Sequence, residues 1–304
     1  MIMRIWITFI CTVMTFFAAA SYSAESGTPE LSFRIGRQVG KIQTKLITEA
    51  SGIVASRKNP GILWVHNDSG NSATVYALNF GGELLRTCRI RGARCRDWED
   101  IAIGPGPDKE LDYLYIGDIG DNGARYQSII IYRVPEPKVD PNSALMDIEI
   151  GPAETIEMVY PDGPKDAETL MVDPVNGDIY IISKRKVFCQ VFCAVSDELN
   201  QKPVRLSQAA VLPWALAVGG DISPDGRFVI VRSLTHASIW VRQKDQPLRQ
   251  VFGQKPFNIS LMPEPQGEAI CFDAEGRGFF TTSEKANQPI YYYARTDEPK
   301  KPED

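Results

Sequence analysis

Three glutamates and a serine stand, one each, at the head of an apolar stretch: Ser51-Gly52-Ile53, Glu99-Asp100-Ile101, Glu168-Thr169-Leu170 and Glu268-Ala269-Ile270. A fifth stretch of the same kind opens with Gly220-Asp221-Ile222, and the five openings lie 48, 69, 52 and 48 residues apart. Residues that occupy one place in a repeated unit are brought together when the units stack around an axis. Carboxylates converging there raise one another's pKa, and burial adds to the effect, so either some protonate or a cation sits among them. Oxygen donors without thiolate or imidazole suit a hard ion, and Ca2+ tolerates an irregular ring better than Mg2+. Ser51, Glu99, Glu168 and Glu268 are therefore the expected metal ligands, with Ca2+ the expected ion. The alternative is that the glutamates accept backbone amides of neighbouring units or pair with Lys and Arg. With His66 and His236 the only histidines, a histidine-rich transition-metal centre is excluded.

A second set of polar residues closes the strand that follows each opening: His66-Asn67-Asp68-Ser69-Gly70, Gly117-Asp118-Ile119-Gly120-Asp121-Asn122, Ser183-Lys184-Arg185-Lys186, Arg232-Ser233 and Ser283-Glu284. In an antiparallel pair these ends return to the level of the openings, so both sets meet at one mouth. Asp68, Asp118 and Asp121 are the expected catalytic carboxylates. His66, Asn122, Lys184, Arg185, Arg232 and Glu284 are the expected substrate-binding groups. Gly-Asp and Asp-Asn strings also cap turns by bonding their own backbone, and a lone histidine at a strand end is commonly structural. No Gly-x-Ser-x-Gly elbow, phosphate loop or dinucleotide fingerprint occurs.

The elements that position these residues repeat as well. Each opening strand runs into a turn, such as Asp173-Pro174-Val175-Asn176-Gly177, Ser223-Pro224-Asp225-Gly226 or Asp273-Ala274-Glu275-Gly276. Gly and Asn supply the positive φ, and Pro a preset one. Second strands follow (Leu63-Trp64-Val65, Ile179-Tyr180-Ile181-Ile182), then third strands, then weaker outer strands at 84–90, 155–160, 206–212 and 248–252. Several strands in a unit of this length predict an all-β fold, a five-bladed β-propeller, with six blades as the alternative. The fifth unit ends after three strands, and 34–42 stands unused ahead of the first. Pairing the two closes the ring with an N-terminal strand and leaves no edge. The long step before Glu168 is assigned to a loop over 135–153.

Arg4, the apolar run Ile5 to Phe17 and the small residues after it read as a signal peptide over 1–23, so the chain is expected to be secreted or periplasmic, with no membrane span after cleavage. The propeller is expected over 30–295, and the charged tail 296–304 is expected to be disordered. An oxidising compartment permits disulfides. Cys88 and Cys95 flank a turn-like stretch and could close a small loop. Cys189 and Cys193 are about 13 Å apart on a regular strand, beyond the roughly 7 Å a bridge allows. Cys271 reads as a small buried hydrophobe. A net charge of −5 without a basic cluster argues against nucleic acid.

At the strand heads a resemblance emerges. The order Ser, Glu, Glu, small residue, Glu is similar to that of the calcium-activated nucleotidases, or apyrases. Asn67-Asp68-Ser69-Gly70 and Lys184-Arg185-Lys186 resemble their acidic and basic mouth segments. The resemblance implies a secreted propeller with calcium in its channel, held by Ser51, Glu99, Glu168 and Glu268, and phosphate contact by Lys184 or Arg185. The strings Trp98-Glu99-Asp100 and Gly117-Asp118-Ile119-Gly120-Asp121-Asn122 also resemble a set of secreted propellers of unassigned function. Two expectations follow: a calcium-dependent hydrolase of phosphoesters, anhydrides or lactones, or a non-catalytic propeller with a structural ion. In either case the partner is a small-molecule, glycan or peptide ligand at the channel mouth.

Overall fold

The computed structural model describes residues 31–140, 146–184 and 187–297, with only the backbone of Met146. The expected signal peptide, most of the expected tail and Arg185 lie outside them. The described strands form five sheets. Blade 1 is Ala50–Ala55, Ile62–Asn67, Thr74–Asn79 and Leu84–Ile90. Blade 2 is Trp98–Pro105, Asp112–Asp118, Ile129–Pro135 and Glu154–Val159. Blade 3 is Ala167–Val172, Ile179–Ser183, Cys189–Ala194 and Ser207–Leu212. Blade 4 is Gly219–Ile222, Phe228–Arg232, His236–Val241 and Phe257–Ser260. Blade 5 is Gly267–Phe272, Gly278–Ser283 and Pro289–Ala294, completed by the N-terminal strand Arg37–Lys41.

That last pairing is the expected closure. Arg37 faces Tyr292 and Lys41 faces Pro289. Arg34 N donates to Ala294 O, and Ile42 N to Gln288 O, at either end of the strand. The blades pack through apolar faces, and Trp64, Trp98 and Trp240 are fully buried, each with its indole N–H satisfied. Inner strands are buried along their whole length, which explains their near-continuous apolar sequence.

Inner-strand amides that face the axis lack a ladder partner and need an acceptor. Two buried aspartates provide it. Asp100 of blade 2 accepts from Leu170 N of blade 3 at 3.0 Å and Gly220 N of blade 4 at 3.3 Å. Asp221 of blade 4 accepts from Phe272 N of blade 5 at 2.8 Å. These side chains tie one blade to the next along the axis.

Three assignments are corrected. The outer strand of blade 4 is Phe257–Ser260, and Leu248–Val251 is a single helical turn. Leu248, Val251 and Phe252 are all buried, at a spacing that suits a helix face rather than a strand. The 135–153 segment contains a strand, Met146–Ile150, which pairs parallel to Leu84–Ile90 and covers the edge of blade 1. Val204–Arg205 does the same for blade 2. Finally, the five cysteines of the described residues are all free. The Cys88 side chain is buried in the core of blade 1, while Cys95 Sγ donates to Asp68 O at 3.6 Å, so the two thiols serve different neighbours.

Candidate functional site

Four of the five inner strands begin with a β-bulge. In blade 1 Ala50 pairs with Asn67 and Gly52 with His66, which leaves Ser51 as the extra residue. The same skip isolates Glu99 in blade 2, Glu168 in blade 3 and Glu268 in blade 5. A bulge frees a residue from the ladder and re-aims its side chain. Blade 4 has no such skip. Counted from its hairpin, four pairs run from Ile222–Val229 to Gly219–Arg232, and the next residue is Val218. The same count reaches Glu268 and Glu168 in blades 5 and 3. The fifth ring position is thus Val218, two residues before the Gly220 that the sequence pattern suggests.

Ser51, Glu99, Glu168 and Glu268 are all buried at the channel mouth, but they do not act as one set. Ser51 Oγ donates to the carbonyl of Glu99 at 2.5 Å. Lys184, at the end of the second strand of blade 3, turns inward. Its ammonium is bonded to Glu168 and lies 3.8 Å from Glu268. Burial pushes that ammonium's pKa down, but Glu168, Glu268 and Glu99 outweigh it and hold it above its ordinary value. The chain therefore supplies a cation to the blade 3 and blade 5 side of the ring.

On the blade 1 and blade 2 side no lysine ion pair of this kind occurs among the described residues. Carboxylate oxygens of Asp68, Asp97 and Glu99 lie within 4.8 Å of one another. Gly120 closes over them: a methyl group there would sit 2.2 Å from Glu99 Oε1 and 2.6 Å from Asp97 Cγ. Burial, then Glu168 and Asp68, hold the Glu99 carboxyl well above the usual range. Burial, then Asp166 and Asp118, push Asp97 up. Asp68 is raised to about 6 by burial, against the Ser69 amide that it accepts, with Asp97, Glu268 and Glu49 adding repulsion.

The strain continues across the ring. Glu168 is raised to about 8 by burial despite Lys184, and its Oε2 is buried without a hydrogen-bond partner. Glu284 is raised to about 8, first by burial and then by Glu268, with which its carboxyl shares a hydrogen bond.

Several expected site residues serve the fold instead. Asp118 accepts from Arg96 Nε at 3.1 Å and from Asp97 N at 3.2 Å, and Asp121 accepts from Tyr126 N at 2.7 Å. Both clamp the loop that carries Gly120. Buried His66 lies between blades 1 and 2, edge-on to Trp98 at 5.6 Å, with Nδ1 on Asn67 O at 2.8 Å. Burial pushes its imidazole down to about 4, so it is neutral near pH 7. Arg232 is fully buried, on Glu264 at 2.8 Å and Ala269 O at 2.9 Å. Gly267 leaves room for that guanidinium, since a methyl group would sit 2.2 Å from Nη2. Asn122 is exposed on the loop beside Asp121. The mouth thus gathers Asp68, Lys184 and Glu284 with the ring, and leaves out His66 and Arg232.

Asp97 escaped the sequence reading. An acidic residue two before the ring residue recurs, as Glu49, Asp97 and Asp166, and that recurrence was the available signal. An all-oxygen set of clustered carboxylates fits a hard divalent cation.

No family model matches the chain, and no curated protein matches it. Among solved structures it is similar to the hydrazine synthase of Kuenenia stuttgartiensis, at 10% identity and a TM-score of 0.41, over 80% of this chain and 94% of that one. It is also similar to the WD40 repeats of RRP9, at 10% identity and a TM-score of 0.45, over 88% of this chain and 100% of that one. These likenesses concern the fold alone. The five-bladed propeller itself stands on the strand pairing, and no described helix is long and apolar enough to cross a membrane.

Proposed function

We propose that this is an exported β-propeller whose channel mouth binds one divalent cation, Ca2+, and uses it to hydrolyse a small molecule. The observation that carries the reading is the Asp68–Asp97–Glu99 cluster, whose oxygens lie within 4.8 Å of one another. Glu99 stays in the ligand set, Asp68 and Asp97 join it, and Glu168 and Glu268 are left to Lys184. A divalent ion held there would supply Lewis-acid polarisation of a substrate oxygen. The resemblance to apyrases supports calcium and an export route, and the signal-like segment supports the latter.

Calorimetric titration of chelator-treated protein with CaCl2 tests the ion. One ion per chain is expected, bound more tightly than Mg2+, and Glu99→Gln should weaken it at least tenfold while remaining folded. Absence of binding to the wild type, together with no metal by elemental analysis, would remove the basis for the hydrolase.

A further inference from the structure

We infer that a cleft between blades 2 and 3, at the end of the propeller opposite the acidic mouth, binds a neutral saccharide. The inference is independent of the cation reading.

The cleft begins as a break in the strand pattern. Ile129, Ile131 and Arg133 share a face of the third strand of blade 2, and Glu154, Ile156 and Met158 share a face of its outer strand. The two isoleucines of the third strand, Ile156 and Met158 all belong to the core shared with blade 3. Where the strands reach the end away from the mouth, that alternation calls for two more apolar residues and supplies Arg133 and Glu154 instead. They pair in register with each other, and Arg133 with Tyr115 of the second strand. Near the axis the blades touch closely, since a methyl group at Gly104 would lie 2.5 Å from Val172 Cγ1. Farther out, the polar row lines a cleft of about 370 Å3 whose other wall comes from blade 3, within the size range of ligand sites. The walls bound one space: a methyl group at Gly177 would lie 3.6 Å from Pro105 of blade 2 and 3.5 Å from Ser196 of blade 3.

Taking a guanidinium out of water costs desolvation, and apolar side chains of similar volume often serve a fold as well. Here the ion pair keeps bonding capacity in reserve. Nε and Nη2 of Arg133 both donate to Glu154 Oε2, at 3.0 and 2.6 Å, and Nη1 donates to the Tyr115 hydroxyl at 3.4 Å. Two of the five guanidinium N–H groups and Glu154 Oε1 are left over. On the facing wall, the side chains of Ser196, Asp197 and Asn200 make no hydrogen bond among the described residues. Donors thus stand beside acceptors on both walls. A sugar answers that pattern, because each hydroxyl both donates and accepts, and adjacent hydroxyls can meet a guanidinium and a carboxylate side by side. Leu199 and Pro105 supply apolar surface for its C–H groups.

Charge separates this class from an anion. Lys109 and Arg133 are balanced by Glu154 and Asp197 among the lining residues. Glu154 already covers the guanidinium that would otherwise draw a carboxylate or a phosphate. A neutral polyol makes its hydrogen bonds here without meeting that repulsion.

Titrations followed by saturation-transfer NMR, with chelator present, test this on the methyl glycosides of glucose, galactose and mannose and on the matching uronides, which differ by one carboxylate. Binding of a neutral glycoside is expected, tighter than that of its uronide and unchanged when CaCl2 replaces the chelator. Asp197→Ala combined with Asn200→Ala, both at exposed positions, should weaken it about tenfold. Glu154→Gln keeps the shape of the wall and uncovers the charge of Arg133, so the preference should turn to the uronide. If the wild type binds none of the glycosides, or binds a uronide as tightly as its glycoside, the inference is overturned. It is overturned equally if a bound glycoside keeps its wild-type affinity in both variants, since the ligand then sits elsewhere.

Discussion

Raising the pH of the ion-free protein from 6.5 to 8 should lower its stability, against the usual behaviour of carboxylates in ion pairs. Glu168 titrates at about 8 when folded, against an ordinary 4.5, and Glu284 likewise. A carboxyl raised on folding contributes stability that is complete below its unfolded pKa and is lost as the pH rises through its folded one. Asp68 at about 6 and Asp221 at about 7 act in the same sense over the lower part of the window. His66 acts oppositely: its imidazole is lowered to about 4 from 6.5, so it favours the folded state as the pH rises, but this gain is complete once the unfolded histidine is neutral. That gain is half spent at pH 6.5 and nearly complete by about 7.5, so the carboxyl groups outweigh it across the window and stand alone in its upper part. Each extra proton on the folded state costs about 1.4 kcal/mol per pH unit as the pH rises. Glu168 is deeply buried and counts in full, whereas partly exposed Glu284 is discounted for screening. Glu168 by itself supplies roughly one proton, with Glu99 and Asp100, both raised well above the ordinary range, acting in the same sense, so at about 2–4 °C per kcal/mol for a large domain the melting temperature should fall about 3–5 °C per pH unit or more. Scanning calorimetry in chelator at pH 6.5, 7.2 and 8.0 measures this. Calcium at a hundredfold excess over its dissociation constant adds about 2.7 kcal/mol, and because it competes with protons its effect should be larger at pH 8 than at 6.5. A melting temperature that is flat or rising across the window in chelator would refute the reasoning.

Two other outcomes follow from the fold. A chain that starts at residue 46 lacks the strand Arg37–Lys41, exposes the edge of blade 5 and uncouples the ring, so it should aggregate or melt far lower than the full chain; an unchanged melting temperature would count against closure by that strand. Replacing Arg232 by Met leaves Glu264 buried without its partner and should cost about 3–5 kcal/mol by denaturant titration, whereas Arg232→Met with Glu264→Gln should recover part of it.

The propeller was legible because each blade repeats the same physical problem. An inner strand packed on both faces must be apolar, and a tight return needs Gly, Asn or Pro, so openings and turns recur at readable intervals. What failed lay where one local pattern serves two structures. Leu248, Val251 and Phe252 form an apolar cluster that fits a helical turn as well as an outer strand. Asp221-Ile222 copies Asp100-Ile101 in type, yet the ladder is counted from the hairpin, and that count places Val218 at the ring. The strand Met146–Ile150 pairs with a blade left behind before the next one began, a long-range choice that no local pattern records. Lys184 sits at a strand end in sequence, but whether such a side chain points to solvent or to the axis is decided by the carboxylates it meets there.

The division of the ring follows from the bulges. Where an inner strand skips a residue, the extra side chain is free of the ladder, and in blades 2, 3 and 5 that side chain is a glutamate. Blade 4 runs without a skip and brings its backbone close instead: a methyl group at Gly219 would lie 2.4 Å from the carbonyl of Glu268. Val218 adds no charge there, so blade 4 interrupts the acidic ring between Glu168 and Glu268. Lys184 joins the two glutamates that flank this interruption, on blades 3 and 5. Glu99 stands on the opposite side, beyond the reach of a bond to that ammonium, and its neighbours there are Asp68 and Asp97, which are also acids. A ring neutralised from within on one side and left acidic on the other directs any cation from outside to the junction of blades 1 and 2. The proposed ion site would therefore lie off the propeller axis, at the place where the acidic residue two positions before the bulge joins the ring.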